Sequence, residues 1–149
     1  KNLKTMGMSL KPCTVFTTGK ESFEIADDEV EIGLGIHGEP GTHREKMATA
    51  NEFTEKLFEK VYAESDVQKG DRFAVLVNGL GETTLIELFI VNNHLQDLLK
   101  DKGVEVAKTL VGNYMTSLDM GGFSITLLKL DSEMEELLNA EEDTIAFWY

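Results

Sequence analysis

The sequence offers little that could hold the chain together from outside its own core. It has one cysteine, Cys13, in 149 residues, so no disulfide can close within it. That fits a reducing compartment, so the expectation is a cytoplasmic protein with Cys13 as a small buried hydrophobe. Prolines number two and there is no low-complexity tract or internal repeat, which argues against a disordered or linker-like chain. No apolar run approaches the ~20 residues needed to cross a bilayer. No basic segment leading into an apolar one opens the chain. Basic residues are scarce, 14 Lys and Arg against 27 Asp and Glu, for a net charge of −13. Such a surface repels nucleic acid and anionic membranes, and neither is expected as a partner. Metal-ligand spacing is missing too: His37, His43 and His94 stand far from any Cys/His/Asp pattern.

What is present suits one domain with its own core, since 42% of residues are hydrophobic and they are spread along the chain. Residues 3–16 read as extended, with Pro12 near an end. In EVEIGLGI (29–36), Val30, Ile32, Leu34 and Ile36 share one parity, and Glu29, Glu31, Gly33 and Gly35 the other, which predicts a strand with one apolar face. Thr42-x-x-Glu45, Thr84-x-x-Glu87 and Ser132-x-x-Glu135 are capping-box patterns. They predict helices over about 43–65, 84–102 and 132–140, the second stopped by Gly103 and the first carrying a Glu52–Lys56 pair. Strands are expected over 72–78, 104–117 and 122–130, the last two joined as a hairpin by LDMG, with a final extended piece in TIAFWY (144–149). The fold class is therefore α/β, a mixed β-sheet sandwiched with helices.

The densest cluster of unusual residues is EIGLGIHGEPG (31–41). Glycines at 33 and 35 leave open space beside the parity of His37, and Gly38 and Gly41 allow a backbone that other residues resist. Read as a loop between a strand and the helix beginning near 43, it lies where α/β sheets bind ligands, facing free N–H groups at the helix start. A neutral imidazole there could serve as base or nucleophile. The residues alone leave two alternatives open, a ligand site or a glycine-rich turn with a bystander histidine. Glu39 is a candidate for shaping the loop or orienting His37, and His43 a weaker one for supporting it. Elsewhere, NGLGETT (78–84) reads as a strand-to-helix turn rather than a phosphate loop, because it lacks a lysine and carries Glu82. His94 reads as structural or exposed, and Asp119 as a turn former.

GIHGEPG, with MSLKPCTV before it and VNGLGETTLIELFIV and TSLDMGGFSITLLKLD after it, resembles the C-terminal domain of the substrate-binding (K) subunit of the dihydroxyacetone kinase family. The order and spacing agree over essentially all of residues 1–149. The resemblance implies a fold similar to the C-terminal domain of the tubulin-like cell-division protein, and a chain that continues a longer one, consistent with a start at Lys1 rather than Met. It implies that His37 binds dihydroxyacetone (glycerone) covalently as a hemiaminal, with Gly35, Gly38 and Glu39 beside the substrate. An imidazole nitrogen can add to a ketone carbon but has no second proton to lose, so addition stops short of an imine. Capture of this kind separates ketones and aldehydes from glycerol, which has no carbonyl.

A kinase also needs a base for the attacked hydroxyl and a bound phosphoryl donor. The resemblance puts the acid–base residues in a preceding N-terminal domain. It puts ADP or ATP with Mg on a separate nucleotide-binding (L) subunit or domain, recharged by the phosphotransferase system in the bacterial type. No cofactor is expected on this domain, which alone should be inactive. A homodimer is implied as well. The same family includes ketone-sensing paralogues that act as transcriptional co-activators, and His37 does not separate the two.

Overall fold

The computed structural model describes residues 2–35, 39–141 and 143–145. Along the chain run β1 (Leu3–Ser9), β2 (Thr14–Val15), β3 (Lys20–Glu21), β4 (Glu29–Ile32), β5 (His43–Lys46), α1 (Ala50–Ala63), β6 (Arg72–Gly79), α2 (Leu85–Asp101), β7 (Glu105–Gly112), β8 (Gly122–Lys129) and α3 (Ser132–Leu138). One six-stranded sheet has the order β5-β4-β1-β8-β6-β7, and β2 and β3 form a separate small hairpin. β6 and β7 are parallel, joined by α2, and every other neighbouring pair is antiparallel. The mixed α/β class read from the sequence is the one observed.

Period-two patterning explains the core. Phe73, Val75 and Val77 of β6, Phe123, Ile125 and Leu127 of β8, and Met8 of β1 all point to one face, and all are buried. They meet Phe53, Leu57, Phe58 and Val61 of α1 and Leu88, Val91, Leu95 and Leu99 of α2 in one cluster. Both long helices therefore lie on the same face. The opposite face carries α3, whose Leu138 joins Leu3, Ala74, Leu76, Leu110 and Leu128 around a shallow apolar cleft. The expected sandwich is thus lopsided. No described helix is long and apolar enough to cross a membrane.

Four expectations are corrected. The hairpin of 104–117 with 122–130 does not form, because β8 lies between β1 and β6, pairing with both along its length. β7 goes instead to the sheet edge, where the α2 crossover delivers it parallel to β6. Residues 113–121 then cross the end of β6, held by the buried Asn78. Its Oδ1 accepts from the N–H groups of Tyr114 (2.9 Å) and Met115 (2.8 Å), and its Nδ2 donates to the Met115 carbonyl (2.9 Å).

The helix expected from 43 begins at Ala50. His43–Lys46 is an edge strand paired with β4, and the working capping box is Thr49 with Glu52. Glu52 is spent on that cap, so Lys56 pairs with Glu45 at 2.7 Å instead. The strand expected to reach Ile36 ends at Ile32, because Gly33 turns to φ +78°. The third helix is capped by Asp131, whose carboxylate accepts from Met134 N–H, one residue before the expected Ser132.

Two smaller readings also shift. Cys13 is half-buried in a surface connection rather than in the core. Of TIAFWY, residues 146–149 lie outside the described residues, and Thr144 and Ile145 are in no strand. The 84–102 helix and its Gly103 stop (φ +71°) are found as expected.

Replacing Asn78 with alanine strands two backbone donors, so Asn78→Ala should cost on the order of 2–4 kcal/mol in urea unfolding. At α1, Thr49→Ala should cost about 1 kcal/mol. The Thr49 N–H bound to its carboxylate holds Glu52 below the usual glutamate range. A depressed folded value stabilises at pH above the unfolded value and is lost as pH falls through the folded one. The stability advantage over Glu52→Gln should therefore be full at neutral pH and be lost on acidification as the pH falls from the ordinary glutamate range through the lowered folded value.

Candidate functional site

The connection 33–42 joins β4 to β5 as the loop of an antiparallel hairpin. β4 runs antiparallel to β1, and so opposite to β6 and β7. The loop therefore follows a strand of opposite direction, yet its neck is level with the carboxyl end of β6, because Ile32, Met8, Phe123 and Gly79 stand in one cross-strand row. β5 also runs away from the loop for four residues, roughly 13 Å, before α1 begins. The start of α1 does not face it.

The loop is closed at two levels. At its neck, Thr42 donates its N–H (2.7 Å) and its hydroxyl (3.1 Å) to the Ile32 carbonyl, and Gly33 N–H bonds the Gly7 carbonyl at 2.7 Å. Towards its tip, Gly35 N–H bonds the Glu39 carbonyl at 3.1 Å. Between these, Gly41 N–H donates to Glu31 Oε1 at 2.6 Å. His37 and Gly38, two of the expected site residues, lie outside the described residues.

The other two, Gly35 and Glu39, are brought together. A Cβ on Gly35 would stand 2.8 Å from Glu39 Cδ and 2.9 Å from Glu39 Cβ. The glycine at 35 thus makes room for the Glu39 side chain. Gly33 is needed for its left-handed backbone. A Cβ on Gly41 would lie 2.6 Å from the Ile32 carbonyl oxygen and 2.5 Å from Glu31 Cγ. At these three positions the glycines shape the loop; open space beside His37 was expected at 33 and 35, and backbone freedom at 41.

Sequence reasoning missed Glu31. It shares its parity with half-buried Glu29, yet its own side chain is 9% exposed, held by Gly41 N–H and by Arg44 Nε at 3.3 Å. The available signal was a glutamate inside an apolar alternation, ten residues before a glycine.

β5 is fixed from outside as well. Lys46 bonds Asp28 at 2.8 Å, which holds the Asp28 carboxyl below its ordinary range and raises the Lys46 ammonium. His43 lies on β5, half exposed, its Nδ1 3.0 Å from the Thr42 hydroxyl. It stands at the neck of the loop.

The remaining candidates fall away from this loop. His94 Nε2 pairs with Glu55 Oε1 at 2.8 Å, tying α2 to α1. Asp119 accepts from Thr14 N–H at 2.7 Å; bonding to Thr14 holds its carboxyl below the ordinary range. Residues 78–84 form the expected plain turn, with Glu82 paired to Lys11 and the Thr83 hydroxyl bonded to Gly122. Among the described residues, no group of three or more His, Cys, Asp or Glu side chains is placed to hold a metal ion.

Residues 1–146 match the Dak1 domain. The chain is 48% identical over 147 residues to the dihydroxyacetone-binding subunit DhaK of the PTS-dependent dihydroxyacetone kinase 1 of Listeria innocua, covering 98% of this chain and 45% of that protein. Among solved structures, it matches the dihydroxyacetone kinase operon co-activator Dha-DhaQ with a TM-score of 0.86 and 39% identity, covering 93% of this chain and 43% of that one. The dihydroxyacetone kinase of C. freundii, solved with AMP-PNP and Mg2+, gives a TM-score of 0.79 and 27% identity, over 99% of this chain and 27% of that one. The chain thus spans less than half the length of each of these relatives. On these matches the chain belongs to the Dak1 domain family, that of the dihydroxyacetone kinases.

Proposed function

We propose that this chain is the ketone-binding portion of a dihydroxyacetone kinase and that His37 captures the substrate. The observation that carries the reading is the 48% identity to a dihydroxyacetone-binding subunit, in an alignment covering 98% of the chain. In the proposed step a neutral His37 imidazole offers the lone pair of its unprotonated nitrogen to the ketone carbon. The carbonyl π pair moves to oxygen, which takes up a proton. The other ring nitrogen gives one up. The product is a neutral hemiaminal with no leaving group. Gly35, Gly38 and Glu39 border the captured ketone.

The held ketone then presents a hydroxyl for phosphorylation. On this reading the base comes from an N-terminal domain of the same parent chain. ADP or ATP with Mg comes on a nucleotide-binding partner subunit, with phosphate supplied through the phosphotransferase system. The reading places the protein in the cytoplasm as a homodimer, and leaves residues 1–149 alone without kinase activity. The surface charge of −13 supports the division of labour, since it disfavours an anionic nucleotide on this domain.

A second reading is favoured by the fit to a co-activator at a TM-score of 0.86. It keeps capture by His37 and replaces phosphate transfer with regulation.

Native mass spectrometry of the full-length protein with dihydroxyacetone should show one adduct carrying the full mass of the ketone, with no water lost. The adduct should be absent from His37→Ala. An adduct that persists in that variant sinks the hemiaminal. Phosphorylation of the ketone on adding the nucleotide-bearing partner selects the kinase; an adduct without turnover selects the sensor.

A further inference from the structure

The buried carboxylate of Glu31 is more than the hairpin needs. The neck is already closed by the Thr42 bonds to the Ile32 carbonyl. A glutamate buried this deeply is retained only where partners replace its water. Glu31 has two, Gly41 N–H at 2.6 Å and Arg44 Nε at 3.3 Å. The first is a short, charge-assisted bond to a backbone group beyond the strand ladder. Gly41 is fitted to it, because a Cβ there would collide with Glu31 Cγ and with the Ile32 carbonyl oxygen. Arg44, the cross-strand partner of Glu31, holds the second oxygen from β5. The carboxylate therefore ties together β4, β5 and the returning limb of the loop. That limb continues back to Glu39, whose carbonyl is bonded by Gly35 N–H.

We infer that Glu31 is a positioning residue for His37: its carboxylate fixes the returning limb of the loop at Gly41, close to the histidine along the chain. The inference rests on the reading of His37 as the capturing residue. Glu31 need not touch the ketone. It acts on capture by restricting the loop to a geometry in which a nitrogen lone pair can meet a carbonyl carbon, and misplacement of about 1 Å at such a step costs roughly 100-fold.

The test uses the full-length protein with Glu31→Gln, Glu31→Ala, Gly41→Ala and the Glu31→Ala/Gly41→Ala double variant. Adduct formation is titrated with dihydroxyacetone by native mass spectrometry, and backbone hydrogen exchange is followed in parallel. Glu31→Gln keeps an acceptor for Gly41 N–H and should stay within about threefold of the parent, whereas Glu31→Ala should weaken adduct formation by about tenfold or more. Faster exchange should be confined to residues 39–42. Gly41→Ala should weaken adduct formation at least as far as Glu31→Ala, since its Cβ also meets the Ile32 carbonyl oxygen, and the double variant should be no worse than Gly41→Ala alone.

Parent-like adduct formation in Glu31→Ala overturns the inference. So does equal loss in Glu31→Gln and Glu31→Ala, or exchange that quickens throughout β1 and β8, which marks a role in the fold alone. If Glu31→Ala does not fold, Glu31→Leu, which fills similar space without an acceptor, decides by the same criteria. An adduct surviving His37→Ala sinks the hemiaminal reading separately, and exchange at 39–42 then judges the tie between Glu31 and the limb without reference to the ketone.

Discussion

The double pairing of β8 holds the two halves of the fold together. On one side it pairs with β1, with Ile125 opposite Met6 and Phe123 opposite Met8. On the other it pairs with β6, with Ile125 opposite Val77 and Leu127 opposite Val75. The first partner brings β4, β5 and the histidine loop; the second brings the β6-α2-β7 unit. The late arrival of β8 in the chain gives these contacts long sequence separation, and such pairings are slow to form and strongly dependent on a buried face. The buried alternation of Phe123, Ile125 and Leu127 supplies that face. A one-residue slip would turn Ser124 and Thr126 into the core and expel all three.

Legibility followed locality. The 84–102 helix was readable because its cap, its apolar stripe and its glycine stop all lie within the segment itself. The start of α1 was not, because Thr42-x-x-Glu45 and Thr49-x-x-Glu52 present the same pattern seven residues apart. Only pairing with β4 decides between them, and HREK carries no apolar alternation to announce an edge strand. Charges on such a strand are ordinary protection for an exposed edge. The place of β8 in the sheet was hidden for the same reason, since adjacency in sequence favoured a hairpin and burial favoured insertion.

At the loop, the residue types were legible and their reasons were not. Glycines at 33 and 35 were read as space for a ligand, and Gly41 as freedom for the backbone. Each instead answers a demand of the loop: a left-handed turn, room for Glu39, and close approach to Glu31 and the Ile32 carbonyl. The parity of β4 assigned Glu31 to a wet face. It is buried because the loop folds back over it, which no periodicity within 29–36 encodes. His37 itself stood out from its motif. The residues that hold its loop did not, because Gly41 and Glu31 meet only once the hairpin has closed.

The placement of the loop also bears on the proposed division of labour. The loop is the turn of an antiparallel hairpin and the start of α1 does not face it, so it has no helix dipole to help hold an anion. The described residues offer no group that could hold a metal there, and Arg44, the guanidinium nearest its base, is engaged with Glu31. A neutral ketone needs none of this, and covalent capture asks only for a placed nitrogen. Phosphate, by contrast, must be neutralised wherever it is transferred. On the proposed reading, a loop tied by a buried carboxylate in an acidic domain is suited to hold the uncharged substrate still, and a partner must bring the phosphate together with its own cations.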